Sequence, residues 1–201
     1  MRFQPTRAPA ARARFLALVG CVLASGCYLG SARTATPADL ASPDDSWNLV
    51  ENVRPVRQIA REDCGAAALA MVLGYWALPG TRDDIAAANP PAPERGIRAA
   101  ALRDFARRQG LQAFVIKGEL ADLDREITRH RPVLVGVMKR YGGRVYPHYE
   151  VVVGMSRRQG RILTLDPAHG LRVNSREGFT AEWLAAGRLT LIVFPRPAPS
   201  S

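Results

Sequence analysis

The chain contains few cysteines and few histidines. Of its 201 residues, three are cysteines, at Cys21, Cys27 and Cys64, and three are histidines. Three cysteines are too few for a small disulfide-stapled scaffold, and their spacing lacks the paired C-x-x-C pattern of a structural zinc site. The sequence has no G-x-x-x-x-G-K-[ST] phosphate-binding loop either, which excludes a nucleotide-driven motor of that class. No cofactor is expected from these counts.

Acidic residues are absent from the start of the chain. The formal charge of +10 comes from 28 Lys and Arg against 18 Asp and Glu, and residues 1–26 hold four arginines and no acid. Residues 15–26 are uncharged and largely apolar, but as a helix they span only ~18 Å, short of the ~30 Å bilayer core. A basic start, a short apolar run and small residues are typical of a secretory signal. We therefore predict a signal peptide over residues 1–26.

The end of this apolar run resembles the lipobox of bacterial lipoproteins, with the sequence Leu23-Ala-Ser-Gly-Cys27. The resemblance implies cleavage before Cys27 and a lipid on its thiol. Two alternatives remain open: a rival lipobox ending at Cys21, which leaves fewer apolar residues after Arg14, and a plain secretion signal. Because Tyr28 follows the cysteine, where an aspartate favours inner-membrane retention, we expect the protein in the cell envelope, lipid-anchored in the outer membrane and facing the periplasm.

Composition divides the rest of the chain into three parts. Residues 27–46 are small, polar and proline-bearing, which is typical of a flexible tether. Residues 47–195 form one domain, and residues 196–201 are a predicted disordered tail. Within the domain, helices are predicted over 64–76, from Thr81, over 97–109 and over 119–129, and strands over 113–116, 133–138, 149–155, 162–165 and 189–194. The fold class is therefore α+β, with helices mainly in the first half packed on antiparallel strands from the second.

Candidate site residues follow from Cys64, the thiol that remains after signal removal and lipidation. It begins an apolar helix that Asp63 is expected to cap, and the positive end of a helix favours a thiolate. A nucleophilic thiol also needs a base and a group that orients the base. His148 precedes an apolar strand, and Asp166 ends the next strand along. An antiparallel hairpin of these two strands brings both side chains within hydrogen-bond reach.

The other two histidines fit the role of base less well. His130 stands between two arginines at a predicted helix end and is expected to be a solvated surface residue. His169 follows Asp166 by three residues and is a rival base, although the adjacent Gly170 indicates a mobile turn.

These residues together resemble the bacteriocin-processing cysteine peptidases, which have a papain-like fold and cut leader peptides after a double glycine. The resemblance runs over about residues 52–170 and rests on Gln58, the run 63–67 (Asp-Cys-Gly-Ala-Ala), His148 before a valine-rich strand, and Asp166-Pro167. It implies that Cys64 is the nucleophile, His148 the base, Asp166 the orienting acid and Gln58 an oxyanion-hole donor. Gly65 is expected to let the substrate backbone approach without an intervening Cβ.

The function implied is peptide-bond hydrolysis on an exported peptide or protein, with a secretion or export system as a candidate partner. Double-glycine specificity does not transfer safely, because relatives fused to transporters work on the cytoplasmic side. The alternative is a non-catalytic or weakly catalytic peptide-binding accessory lipoprotein of a secretion system. Nucleic acid is not an expected partner, because the arginines are scattered and no aromatic platform lies among them.

Overall fold

A computed structural model describes residues 31–41 and 47–196 of the chain. The predicted signal peptide, Cys27 and all but the first residue of the predicted tail lie outside these residues. The strands are β1 (Arg33–Thr34), β2 (Trp47–Leu49), β3 (Gln112–Lys117), β4 (Val133–Tyr141), β5 (Arg144–Ser156), β6 (Arg161–Asp166), β7 (Gly170–Ser175) and β8 (Leu189–Phe194). The helices are α1 (Pro37–Leu40), α2 (Cys64–Tyr75), α3 (Arg82–Ala88), α4 (Ala99–Arg108), α5 (Leu120–Thr128) and α6 (Arg176–Ala185), with a 3-10 turn at Arg61–Asp63.

The strands form one antiparallel sheet in the order β1-β7-β6-β5-β4-β8-β3. β2 pairs with the last residues of β5, Gly154 to Ser156. The long strand β5 lies at its centre. A turn through Gly142 and Gly143 joins β4 to β5, and both glycines have positive φ values of 52° and 77°, which a side chain disfavours. On its other side β5 pairs with β6, with a register shift between Val152 and Gly154. This arrangement confirms the α+β class predicted from sequence.

Each face of the sheet is covered by helices. The α2 helix is apolar on all sides, and its residues 64–73 are all buried, as expected for a central core helix. It packs with α4 on one face, against Leu134, Tyr149 and Val151. The opposite face, with Val135 and Val152, packs against α5 and α6. None of the helices among the described residues combines the length and apolarity needed to cross a bilayer.

The predicted helices and strands of the domain are confirmed, with ends shifted by at most three residues except in β5, which begins five residues earlier than predicted. The predicted start at Thr81 is also confirmed, since its hydroxyl accepts a hydrogen bond from the Asp84 backbone N–H. Within the domain, sequence reasoning missed β2, β7 and α6. The signals present were weak: Leu171 and Val173 alternate with polar residues, and Ser175 caps α6 by accepting from the Gly178 backbone N–H.

The start of the described chain differs from the flexible tether predicted for residues 27–46. Residues 31–41, which we call the N-terminal strap, contain β1 and α1, and β1 pairs with β7 at the sheet edge. Buried Asp39 forms ion pairs with Arg33 and, at 3.4 Å, with Arg161 of β6. The Arg33 hydrogen bond keeps the pKa of Asp39 well below its usual range. The tether prediction is therefore wrong for the strap, because pairing with β7 and one ion pair with β6 hold this polar segment in place.

Candidate active site

Cys64 is the first residue of α2 and follows the 3-10 turn. Its side chain is buried, with 3% exposure, and its thiol is free of disulfides. Asp63 does not cap α2 as predicted. Its carboxylate accepts from the Ile59 backbone N–H at 3.1 Å and lies 3.8 Å from Arg82 of α3. Asp63 thus ties the preceding loop to the helix layer, and the thiol stands at the positive end of α2.

His148 is the fifth residue of β5, opposite Val137 of β4, whereas it was predicted to precede the strand. Its Nε2 is 2.9 Å from Oδ1 of Asp166, and its side chain also forms a hydrogen bond with Cys64. Since Nε2 faces Asp166, the ring has Nδ1 left for the thiol. Pairing with Val137 fixes the backbone at His148, and the contacts with Asp166 and Cys64 orient the ring.

Asp166 ends β6 at the point predicted from the hairpin. The register pairs Val151 with Leu165, so the next residues outward on the two strands are neighbours. The carboxylate accepts from the Ala168 backbone N–H at 2.7 Å and lies 3.1 Å from Nδ1 of His169. Its exposure is 3%. Together these contacts fix both oxygens of Asp166 while Oδ1 faces His148.

The charges of the site reinforce each other. Burial on its own lowers the pKa of His148. The hydrogen bonds that His148 forms with Asp166 and Cys64, together with the charge interactions with both residues, raise this pKa to about 10. Burial opposes ionisation of Asp166, yet its hydrogen bond and charge interaction with His148 hold its pKa below the usual range. The arrangement therefore favours a charged imidazolium beside the Cys64 side chain, backed by a carboxylate.

Gln58 lies in the loop before the 3-10 turn, and its backbone N–H donates to the Pro167 carbonyl at 3.1 Å. This bond connects the Gln58 loop to the end of β6. The side-chain oxygen of Gln58 is buried and has no hydrogen-bond partner among residues 31–41 and 47–196. Gln58 lines a cavity of about 170 Å³ together with His148, Tyr141 and His169. The structure thus brings all four predicted site residues to one region, with Gln58 on the His148 side.

A second, smaller cavity opens on the Cys64 side. Its walls are the loop at Glu94–Gly96, the 3-10 turn, Tyr146 and Tyr149. The Arg61 guanidinium lies 4.6 Å from the centre of the Tyr146 ring, a cation–π contact, and both residues line both cavities. The Cys64–His148 pair therefore stands between two concave surfaces, as a peptide running across the thiol requires.

The two rival histidines occupy different positions. His130 follows α5, and its carbonyl accepts from the Tyr75 hydroxyl at 2.6 Å, a surface position as predicted. His169 bonds the second oxygen of Asp166 and stacks on Tyr141, with ring centres 6.0 Å apart. His169 is therefore a second hydrogen-bond partner of Asp166.

Sequence reasoning misjudged Gly65 and missed Tyr149. A Cβ on Gly65 would lie 3.0 Å from the Tyr149 ring and 3.2 Å from Leu102. The missing side chain therefore faces the core, and the expectation that it clears space for substrate is wrong. Burial, and next the charge of Cys64, raise the pKa of Tyr149. The signal in the sequence was the tyrosine directly after His148, which the alternation of a strand places on the α2 face.

Residues 52–197 match the sequence model of the peptidase C39 family. The chain belongs to this family.

Solved structures of C39 peptidase domains share the fold. The peptidase domain of Streptococcus ComA, a bifunctional ABC transporter involved in quorum sensing, is 24% identical with a TM-score of 0.61, over 72% of this chain and 100% of that one. A double-glycine-motif protease from an AMS/PCAT transporter, solved with the leader peptide, is 24% identical with a TM-score of 0.58, over 72% and 93%. The Streptococcus mutans ComA peptidase domain is 25% identical with a TM-score of 0.51, over 70% and 98%. A search of curated proteins found no match.

Family membership makes this C39 protein a peptidase of the cysteine class with a papain-like fold. The match begins at residue 52, so the N-terminal strap and β2 precede it. The strap nevertheless pairs with β7, a strand inside the matched range.

Proposed function

We propose that this C39 peptidase hydrolyses a peptide bond in an exported peptide or protein through Cys64, His148, Asp166 and Gln58. The observation that carries the proposal is the chain of contacts from the thiol of Cys64 to the His148 ring and on to Asp166, at 2.9 Å, between two cavities. A thiol, an imidazole and a carboxylate in this order form the nucleophile, base and orienting group of acyl transfer.

The steps follow from these roles. The Cys64 thiolate attacks the carbonyl carbon, and the carbonyl π electrons move onto oxygen. His148, charged in the resting pair, gives its proton to the leaving nitrogen, which departs as an amine and leaves a thioester. The neutral ring then takes a proton from water as the water attacks the thioester. Collapse releases the acid and restores the thiolate and imidazolium. Asp166 holds the ring and stabilises its charge throughout.

Gln58 is the proposed donor to the negatively charged oxygen, with the Cys64 backbone N–H as its partner. Two features support the assignment: Gln58 lines the cavity beside His148, and its backbone bond to Pro167 holds its loop at the end of β6. Donors fixed before reaction stabilise developing charge without reorganisation, and the loss of one costs about 10²–10³ in turnover.

We also propose a place and a partner. The lipobox-like sequence ending at Cys27 supports a lipid anchor in the cell envelope, in the outer membrane and facing the periplasm. Among the similar structures, one is the peptidase domain of an ABC transporter and another was solved with a leader peptide. They support a peptide substrate and a secretion or export system as partner.

The second candidate is a non-catalytic or weakly catalytic peptide-binding accessory lipoprotein of a secretion system. The low exposure of the Cys64 side chain, 3%, favours it, because a nucleophile must meet its substrate. In this case the cavities on either side of the thiol retain a peptide without cutting it.

Mass spectrometry of exported peptides separates these functions. Cells with the wild-type chain are compared with cells carrying Cys64→Ala, and His148→Ala is paired with His130→Ala as the matched control. We expect cleavage products that disappear with Cys64→Ala and His148→Ala and persist with His130→Ala. Identical peptide sets in all four strains, with equal protein levels, would contradict peptidase action and favour the binding function.

A further inference from the structure

A buried charged group next to the triad has no role in the mechanism above. Glu150 lies two residues after His148 on β5, so both side chains lie on the same face of the sheet. It is fully buried, at 0% exposure. One oxygen of Glu150, one of Asp166 and a ring nitrogen of His148 lie within 4.8 Å of one another. The imidazole thus has two carboxylates beside it.

Packing does not explain a charge at this position. Apart from His148, the positions nearest to Glu150 on this face of β4 and β5 hold apolar side chains, with Val135 directly across and Val152 next along the strand. A buried carboxylate loses its hydration at a cost of several kcal/mol unless partners compensate. A third apolar side chain would fill the same layer without that cost.

Glu150 has a buried cationic partner. The ammonium of Lys139 lies 2.7 Å from Glu150 and 2.6 Å from Glu182 of α6, and Lys139 is only 3% exposed. The Lys139 ammonium supplies a positive charge that offsets the repulsion between the neighbouring carboxylates of Glu150 and Asp166. A bound metal ion would supply a positive charge of the same kind. Signs therefore alternate from the thiol inward: Cys64, His148, the acid pair, Lys139 and Glu182.

We infer that Glu150 is a second positioning carboxylate for His148, held in place by Lys139 and by Glu182 of α6. Asp166 forms a hydrogen bond with the His148 ring, whereas Glu150 acts on the ring only through its negative charge. Removing the charge of Glu150 therefore makes the imidazolium less stable without breaking the ring's hydrogen bonds. The inference rests on the proposed function only for the role of His148.

The surroundings of His148 determine what else titrates with it. Charged and titratable groups reach this cluster from every element around it: Cys64 from α2, Arg61 from the 3-10 turn, Lys139 and Tyr141 from β4, Tyr146, Tyr149 and Glu150 from β5, Asp166 and His169 from the end of β6, and Glu182 from α6. The other carboxylates and the cations stay unchanged in Glu150→Gln, so the variant isolates one charge.

The test is a titration of His148 by nitrogen NMR of the full-length chain labelled at histidine, without an added tag. The chain has three histidines, and His130→Gln and His169→Gln identify the remaining signal. In the wild type we expect the imidazolium to persist to about pH 10. In Glu150→Gln the midpoint is expected to fall by about one pH unit, a tenfold change in the dissociation constant. The matched control is Glu177→Gln, the same change on an exposed residue of α6.

A purely structural role predicts a different result. In that case Glu150→Gln lowers the melting temperature but leaves the His148 midpoint within about 0.2 pH units of the wild type, which would overturn the inference, as would an equal fall in Glu177→Gln. If Glu150→Gln does not fold, the double variant Lys139→Met/Glu150→Leu replaces the buried pair by apolar side chains, and a smaller fall in the same direction is expected, because the opposing charge of the ammonium is removed together with the carboxylate. No substrate is used, so the result is independent of whether Cys64→Ala abolishes hydrolysis.

Discussion

Replacing Asp166 by asparagine tests the electrostatic basis of the site. Oδ1 of Asp166 is 2.9 Å from Nε2 of His148. Two opposite charges about 4 Å apart at an effective dielectric of about 20 attract by about 4 kcal/mol. Independently, the His148 pKa of about 10, against an ordinary value of about 6.5, corresponds to about 5 kcal/mol in favour of the imidazolium, which all of its partners share. Asparagine keeps a neutral hydrogen bond, so we expect the His148 midpoint to fall by about three pH units, a loss of about 10³ in the stability of the imidazolium.

The direction with pH follows from the sign of the shift. The imidazolium is the stabilised form, so the pair persists below the raised pKa and is lost as the pH rises through about 10. In Asp166→Asn the main favourable partner is gone while burial still lowers the pKa of His148, and the imidazolium is then lost near neutral pH. The difference between the two proteins is therefore greatest between about pH 7 and pH 9.

The assay is the rate at which iodoacetamide alkylates Cys64, followed by mass spectrometry of the peptide that contains it. At pH 7 the Asp166→Asn rate is expected to be about 10–30 times lower than that of the wild type, because a thiol with an ordinary pKa is still a few per cent thiolate at this pH. The control is Asp104→Asn, the same change at a partly exposed Asp–Arg pair on α4, which is expected to leave the rate unchanged. A fall of less than about threefold, with an unaltered melting temperature, would refute the assignment of Asp166 as the partner that charges His148.

Two further variants address the neighbouring groups. Gln58→Ala is expected to lower turnover of a cleaved peptide by about 10²–10³ while Cys64 alkylation stays at the wild-type rate; a parallel fall in alkylation would show that Gln58 acts on the thiol instead. Gly65→Ala gains about 1 kcal/mol of helix propensity but sets a Cβ 3.0 Å from buried Tyr149, and overpacking costs about 1–3 kcal/mol. We expect a lower urea midpoint, and a raised midpoint would mean that the Tyr149 ring yields.

Local patterns were sufficient to predict much of the fold and the site. An apolar run of helix length after Asp63 predicted α2, and two valine- and leucine-rich runs joined by a glycine turn predicted the β5–β6 hairpin. The hairpin alone brings His148 and Asp166 together, because antiparallel pairing sets their register. The order of residues along the chain was therefore enough to identify the contact that matters most.

Features that depend on distant contacts were not predicted. The strap is held by Arg161, 122 residues from Asp39, and no local pattern marks that pair. The burial of Glu150 depends on Lys139 and on Glu182, 43 residues beyond the lysine, on a helix that was itself missed. The direction of the Gly65 Cβ likewise depends on where Tyr149 packs. Each of these required the three-dimensional neighbours of the residue to be known.

The register of β1 on β7 determines which way the catalytic groups would point if Cys27 carries a lipid. Arg33 pairs with Val173 and Thr34 with Arg172, so towards Ser31 the chain runs away from Gly170, the β7 residue paired with Asp166. Ser31 lies beside Gly178 at the start of α6, with the length of β7, roughly 17 Å, between it and the site. Four residues from Ser31 to Cys27 reach at most about 14 Å. The bilayer would then lie towards the Ser175 end of β7, away from the site. Substrates would arrive from the aqueous side.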